Sequence, residues 1–137
     1  MGSSDAKSGK KVDVDVEKMK ELADEMRAYA LVAIHAAGSG HPGGSLSIMD
    51  VAAELYMHTL RHDPANPQWP GRDRVFWGAG HKAPALYTAL AFCGYCEKED
   101  LVTLRRYDSP FQGAMRRLKL GRVEISSGSL GQGLSVG

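Results

Sequence analysis

Cysteine, excess charge and long hydrophobic runs are all scarce in this chain of 137 residues. Two cysteines are too few for a disulfide scaffold, so we expect a reducing compartment, the cytoplasm. A net charge of +1 provides no strong field, and neither nucleic acid nor an anionic membrane is an expected partner. The longest mostly apolar stretch, Tyr29 to Gly40, is too short to span a bilayer, and no apolar segment typical of a signal peptide is visible.

The remaining composition is that of an ordinary globular protein. Hydrophobic residues make up 43% and charged residues 24%, a mix that can form a core beneath a polar surface. The length suits one small domain at most. Residues 1–16 are rich in charged and small polar residues and predict a disordered arm, which leaves residues 17–137 as the folded part.

The spacing of apolar residues predicts helices at 17–37, 47–60, 82–92 and 97–106. The second of these would start at a capping box formed by Ser47 and Asp50. Residues 74–77 are β-branched and aromatic, and they predict a strand that leads into Gly78-Ala79-Gly80. Because a single strand cannot form a sheet, we expect an α/β fold that is rich in helices, has few parallel strands and is incomplete on its own.

Two Gly-His elements are the first candidates for chemistry. In Gly40-His41-Pro42-Gly43-Gly44, an imidazole precedes a predicted helix, where unpaired backbone N–H groups can receive an anionic or polar ligand. Gly80-His81-Lys82 follows the predicted strand, at the position where ligands lie in open α/β sheets. The alternative interpretations are a turn histidine in the first element and a solvated surface pair in the second.

A third candidate is the pair of cysteines in Cys93-Gly94-Tyr95-Cys96. Zinc would need two further ligands at a suitable spacing, and none is nearby in sequence. A redox pair would open a helix, whereas this pair closes one. We therefore expect ordinary packing cysteines and no metal ligand in this chain.

Four segments, taken in order, resemble the transketolases. They are Ser39 to Tyr56, Asp63 to Tyr87, Gly94 to Arg105, and Val123 to Leu134. Each is weak alone, but together their order and spacing form a strong signal. The sequence Ser-Gly-Ser-Leu-Gly-Gln-Gly-Leu is most similar to the small N-terminal subunit of two-gene transketolases. Deoxyxylulose-phosphate synthase is the nearest alternative family, because Trp77 before the second Gly-His resembles it. The Ser-Leu-Gly-Gln-Gly segment does not resemble that family, so transketolase is preferred.

The resemblance implies the N-terminal, diphosphate-binding part of a thiamine-diphosphate fold. It also implies the transfer of a two-carbon ketol unit from a ketose, such as a sugar phosphate, to an aldose. His41 and His81 would be catalytic, Ser39 and His41 would bind substrate, and the cofactor would be bound by His81, Gly128, Ser129 and Leu130.

The sequence departs from the family pattern in two important places. The family usually has His-Pro after the Gln-Gly of its third loop, but here Gln112-Gly113 is followed by Ala114-Met115, which puts the usual sugar-phosphate specificity in question. The chain also ends before the Gly-Asp-Gly and the later Asn with which the family holds magnesium and diphosphate. We therefore expect it to be inactive alone. It would need a downstream segment or a C-terminal transketolase subunit, in a multimer whose active site lies between subunits.

Two further hypotheses stay open. The chain could be a non-catalytic assembly or regulatory remnant, which the two departures favour and the retained His41 and His81 disfavour. It could also be another thiamine-dependent ketol transferase, similar to deoxyxylulose-phosphate synthase or with an altered substrate. Ala114 would open space for such a substrate. An anionic donor could then meet the basic residues of the same loop, which are otherwise solvated surface: Arg116, Arg117, Lys119 and Arg122.

Overall fold

The computed structural model describes residues 15–117 and 122–136. Its helices are α1 (Val16–Ala37), α2 (Pro42–Ser47), α3 (Met49–Glu54), α4 (Ala83–Phe92) and α5 (Gly133–Val136). A π-helical turn (Leu55–Thr59) extends α3, and 3₁₀ turns span Gly80–Lys82 and Lys98–Thr103. The predicted arm lies outside the described residues up to position 14, whereas Asp15 and Val16 form the start of α1.

Helix α1 confirms the first predicted helix within one residue. Asp15 caps it by accepting a hydrogen bond from the Lys18 amide at 3.2 Å, and Gly38 ends it with a φ of +62°, which favours glycine. Its buried face consists mainly of small residues, so neighbouring helices can approach closely. The buried residues of α1 are Ala23, Met26, Ala30, Ala33 and Ile34. In the described ranges, no helix is both long and apolar enough to cross a membrane.

Helix α4 lies at the centre of the fold. Its residues from Ala83 to Ala91 are all buried, and it packs against α1 and α3. The third-loop segment is anchored on this helix: the rings of Tyr87 and Phe111 meet edge-on with centroids 5.3 Å apart, and Tyr87 donates a hydrogen bond to the Gln112 carbonyl at 2.9 Å. The central helix therefore fixes the position of the loop that carries Ala114.

The strand predicted at residues 74–77 is wrong. The segment is extended, but it pairs with no strand within the described ranges. Instead, the Ser127 hydroxyl donates to the Trp77 carbonyl at 3.1 Å, and Gly78 lies directly against the backbone of Gly133. Strand-forming residues without a neighbouring ladder remain an extended segment.

Two predicted helices also differ from the structure. The second begins at Pro42, a residue that favours the first helical position, and the capping box is wrong. The Ser47 hydroxyl instead donates to the Gly44 carbonyl at 3.1 Å, and Asp50 pairs with Arg27. The helix predicted at 97–106 is only a short 3₁₀ turn.

A buried ion pair joins the extended segment to the region before the last glycine-rich turn. Arg72 Nη1 lies 2.5 Å from Glu124 Oε1, and these side chains are only 5% and 11% exposed. Arg72 Nη1 also donates to the Asp73 carbonyl at 3.2 Å. The ion pair therefore holds Glu124, at the start of the segment that leads to Gly128, in a fixed position.

Candidate active site

The two Gly-His elements converge, although they are far apart in sequence. His41 is the residue before α2, and His81 lies in the 3₁₀ turn before α4. Helix α2 packs on that turn. The two imidazole rings therefore meet edge-on, with centroids 5.8 Å apart and an angle of 71° between their planes.

Gly44 permits this close approach. A Cβ at position 44 would lie 3.2 Å from His81 Cδ2 and 3.3 Å from Lys82 Cγ, which is tighter than an ordinary contact. The His81 ring therefore lies against the backbone of α2. The sequence places Gly44 in a glycine-rich loop and does not predict that it packs against His81.

The glycine-rich segment joins the histidines through its backbone. A Cβ at Gly80 would lie 2.8 Å from the Gly128 nitrogen and 2.9 Å from its Cα. Neither of these atoms can move as the end of a flexible side chain can. Gly128 is thereby held beside the residue that precedes His81, and the three predicted site elements adjoin one another.

We expect Gly80→Ala to lower the free energy of unfolding by about 1–3 kcal/mol, because overpacking would force the backbone near Gly128 to shift. Gly43→Ala is the matched control, since a Cβ at Gly43 meets nothing within 4 Å. Urea denaturation of both variants measures the difference. Equal losses in the two variants would contradict the close approach of Gly80 to Gly128.

The site residues differ in their exposure. His41 and Ser39 are exposed, as are Gly128, Ser129 and Leu130, whereas His81 is half-buried. The Nδ1 atom of His81 is buried and has no hydrogen-bond partner within the described part of the chain. An unpaired buried nitrogen is unfavourable, so this position favours a polar ligand.

A cavity of about 350 Å³ opens beside Gly128. Neither His41 nor His81 is among its described lining residues. The connection to the histidines is indirect, through Gly80, which precedes His81 and lies against Gly128. Apart from two aliphatic side chains, the described lining is polar or glycine, and Arg116 is its one charged residue. The described lining residues are Ala114, Arg116, Ser126, Ser127, Gly128, Ser129, Gln132 and Val136.

Arg105 is a further candidate site residue, and the sequence pattern assigns no role to it. Its Nη1 donates to the Ser39 hydroxyl at 3.0 Å, and its backbone adopts a φ of +63° while its N–H donates to the Phe111 carbonyl at 2.8 Å. A Cβ at Gly113 would lie 2.6 Å from Arg105 Nε. The guanidinium therefore lies between the Ser39 loop and the third loop. The only sequence signal is its place in a segment that carries the family resemblance.

The basic residues of the third loop do not act together. Arg116 and Arg117 are both exposed, but of the two only Arg116 is among the described residues that line the cavity. Arg122 points elsewhere: it donates to the Pro67 carbonyl and lies 4.8 Å from the centre of the Tyr95 ring. Lys119 lies outside the described residues.

Cys93 and Cys96 are unpaired and partly buried. The Cys93 sulfur lies 3.5 Å from the Tyr56 carbonyl and 3.7 Å from His62 Nε2. Burial raises the pKa of Cys93 to about 12 and that of Cys96 to about 11. The residues that the structure describes contain no group of three or more metal-binding side chains. These surroundings support the interpretation of the pair as packing cysteines.

Alkylation of these thiols by iodoacetamide at pH 8 should be slow in the folded chain. The thiolate is the reactive form, and burial disfavours it, so reactivity should rise only as the pH approaches the raised pKa values. We expect a rate on the order of a hundredfold below that of the same chain in urea, since each unit of pKa corresponds to a factor of ten in the thiolate equilibrium. Mass spectrometry over time measures both rates, and equal rates would contradict the buried environment.

Residues 18–137 match the family described as transketolase, thiamine diphosphate binding domain. The chain belongs to this transketolase family. The 6-deoxy-6-sulfo-D-fructose transketolase subunit SqwG of Clostridium sp. (strain MSTE9) is 42% identical over 118 residues, which are 86% of this chain and 43% of that protein. The transketolase of Mycobacterium leprae (strain TN) is 41% identical over 113 residues, which are 82% of this chain and 16% of that protein.

Solved transketolases share the fold. The match to the enzyme from Campylobacter jejuni has a TM-score of 0.80 at 36% identity and covers 89% of this chain and 19% of that one. The match to the enzyme from Leishmania mexicana has a TM-score of 0.81 at 29% identity and covers 85% and 18%. The predicted resemblance and fold class are therefore confirmed. This transketolase-family chain spans less than half the length of the curated relatives it matches.

Proposed function

We propose that this chain is part of an enzyme that transfers a two-carbon ketol unit from a ketose donor to an aldose acceptor with thiamine diphosphate. The observation that supports this best is the convergence of three elements: the His41 and His81 rings lie 5.8 Å apart, and Gly128 is packed on Gly80. An assembly or regulatory remnant would have no physical need for this arrangement. The similarity to named transketolases favours this reaction over one like that of deoxyxylulose-phosphate synthase.

The residues present fit the polar groups of the cofactor. His81 Nδ1 is buried and unpartnered within the described residues, so it can hydrogen-bond to a phosphate oxygen, and Lys82 adds a positive charge next to it. The exposed backbone of Gly128, Ser129 and Leu130 can face the rest of the cofactor. When bound, thiamine diphosphate supplies the electron sink for carbon–carbon bond cleavage.

The substrate is proposed to meet the loop that contains Ser39 and His41. Both residues are exposed, and the hydrogen bond from Arg105 fixes the Ser39 hydroxyl. An imidazole can donate and accept hydrogen bonds, so His41 can bind and orient sugar hydroxyls. Its edge contact with His81 links the substrate loop to the proposed cofactor site.

Magnesium ligands and a second polypeptide segment are proposed to complete the site. SqwG is named as a subunit, which supports a C-terminal partner subunit or a downstream segment and an active site between subunits. On this proposal, the chain alone is inactive. Its two unpaired thiols favour a cytoplasmic location.

Titration calorimetry with thiamine diphosphate and magnesium tests this proposal. The chain is measured alone and together with the polypeptide encoded next to it, and ketol transfer is assayed in both samples. We expect tight binding and activity only in the combined sample. Tight cofactor binding by the chain alone would refute the requirement for a partner, and an inactive combined sample that binds no cofactor would refute the function.

The anionic group of the donor is part of the proposal. A sugar phosphate is the first candidate, because the resemblance to transketolase implies it. A sulfonated ketose is the second candidate, because the relative SqwG is named a 6-deoxy-6-sulfo-D-fructose transketolase subunit. Both donors place a tetrahedral anion at the end of a ketose.

A further inference from the structure

The guanidinium of Arg105 contacts two loops of the candidate site at once. Its Nη1 atom donates to the Ser39 hydroxyl at 3.0 Å, although the two residues are 66 positions apart in sequence. Its Nε, Cζ and Nη2 atoms would lie 2.6, 2.9 and 3.0 Å from a Cβ at Gly113. The guanidinium therefore occupies the space that a side chain at position 113 would fill, and it joins the Ser39 loop to the third loop.

The backbone at Arg105 is held in an unusual conformation. Its φ of +63° is a left-handed value that residues with a side chain rarely adopt. The Arg105 amide donates to the Phe111 carbonyl at 2.8 Å, and the side chains of Leu104 and Phe111 are buried. Such strain persists only where the surrounding structure enforces it, and it is concentrated at functional sites. The guanidinium thus extends from an anchored base.

The contact with Arg105 decides how the Ser39 hydroxyl can act. Because a guanidinium has only donors, the Ser39 oxygen must be the acceptor in this hydrogen bond. The hydroxyl in turn donates to the Ala37 carbonyl at 3.4 Å, which is beyond the usual range of about 2.5–3.0 Å for such bonds. A substrate oxygen at a normal distance can replace this weak bond, and the exposed Ser39 would then donate to it.

We infer that Arg105 is a positioning residue: it orients the Ser39 hydroxyl as a hydrogen-bond donor to an oxygen of the sugar substrate and holds the Ser39 loop against the third loop. The inference rests on the proposed ketol transfer and deepens it. Arg105 acts through Ser39 and does not itself need to touch the substrate. Its charge also strengthens Ser39 as a donor, because successive hydrogen bonds polarise one another.

Steady-state kinetics of the complete enzyme, with its partner polypeptide, a ketose phosphate donor and an aldose acceptor, test the inference. Arg105→Ala should raise KM for the sugars about tenfold, the lower end for a hydrogen bond to a charged group, since the guanidinium is exposed. The kcat and the affinity for thiamine diphosphate should change little, because the lost contact concerns sugar binding. Arg105→Lys should restore part of the loss. Arg106→Ala is the matched control with the same charge, since Arg106 lines a different surface cavity.

Two further variants separate the position of the guanidinium from the strain of the backbone. Gly113→Ala keeps the charge but displaces the guanidinium, so it should raise KM as Arg105→Ala does. Arg105→Gly relieves the strain at the positive φ, so KM should rise while resistance to urea does not fall. A KM that returns to normal in Arg105→Gly would show that the backbone matters and the guanidinium does not, which refutes the inference.

A double-mutant cycle of Arg105→Ala and Ser39→Ala tests whether Arg105 acts through Ser39. The combined variant should lose little more than either single variant, because both remove the same contact. Additive losses refute the inference, and so does a KM in Arg105→Ala that equals the KM in Arg106→Ala.

NMR spectra of the chain distinguish failure of this inference from failure of the proposed function. A complete enzyme without ketol transfer would refute the proposed function. The amide signals of residues 39–41 should still shift in Arg105→Ala and in Gly113→Ala, and they should stay in place in Arg106→Ala. Signals that do not respond to Arg105→Ala, or respond equally to Arg106→Ala, refute the positioning role.

Discussion

Arg72→Met is expected to lower the free energy of unfolding by about 3–5 kcal/mol, the usual loss when one partner of a buried ion pair is removed. The variant leaves the Glu124 carboxylate in an enclosed position without its close partner at 2.5 Å. Arg74 cannot fully replace it, because its Nη1 lies 4.0 Å from the carboxylate and its side chain is largely exposed. Urea denaturation followed by circular dichroism measures the change.

Two control variants separate the buried pair from charge effects in general. Arg72→Met combined with Glu124→Met should recover most of the stability, because no unpaired charge remains in the interior. Arg61→Ala removes an exposed pair with Asp73 and should change stability little. If Arg72→Met is no more harmful than Arg61→Ala, the pair does not anchor the segment that leads to Gly128.

The parts of the fold that could be predicted from sequence are those with strong local signals. Helix α1 has apolar spacing along its length and ends at a glycine, so the sequence predicts its bounds to within one residue; its N-cap, Asp15, lies in the segment predicted as an arm. Helix α4 was also predicted, because a continuous apolar run between glycines has few alternatives. In both helices the local preference and the tertiary packing agree.

The errors arise where distant parts of the chain decide the structure. Residues 74–77 have strand-forming side chains, but the Trp77 carbonyl accepts from the Ser127 hydroxyl, and the following Gly78 lies against the backbone of Gly133. The capping box failed because Asp50 is held by Arg27 on another helix. Neither contact has a signature within a short sequence window, so propensity alone led to the wrong assignment.

The candidate site shows the same division. The Gly-His elements identified His41 and His81 as residue types suited to ligand binding. Their distance from each other, however, depends on the missing side chain of Gly44 and on the packing of α2. The separation of Arg116 from Arg122 was also beyond the sequence, since both lie in one basic stretch but only Arg116 lines the cavity. The sequence therefore identifies the candidate side chains better than it predicts which of them lie together in the fold.

The histidine pair carries the second large prediction. In the complete enzyme, His81→Ala should lower kcat/KM by about 10²–10⁴-fold, the range typical of removing a positioned proton-transfer or hydrogen-bonding group. The reason is that Nδ1 of His81 is enclosed and has no partner among the described residues, so its hydrogen bond is proposed to go to the bound cofactor or substrate. His35→Ala is the matched control, because this histidine is exposed in the last turn of α1 and is not one of the proposed site residues. Steady-state kinetics and calorimetric cofactor affinity measure both variants.

The His41→Ala and His81→Ala variants also form a double-mutant cycle. Because the two rings touch edge-on at 5.8 Å, their losses should be smaller together than the sum of the separate losses in free energy. Additive losses would mean that the two imidazoles act independently despite their contact. A change of less than twofold in either single variant would show that the convergence of the two Gly-His elements serves packing, and the ketol-transfer proposal would lose its main structural support.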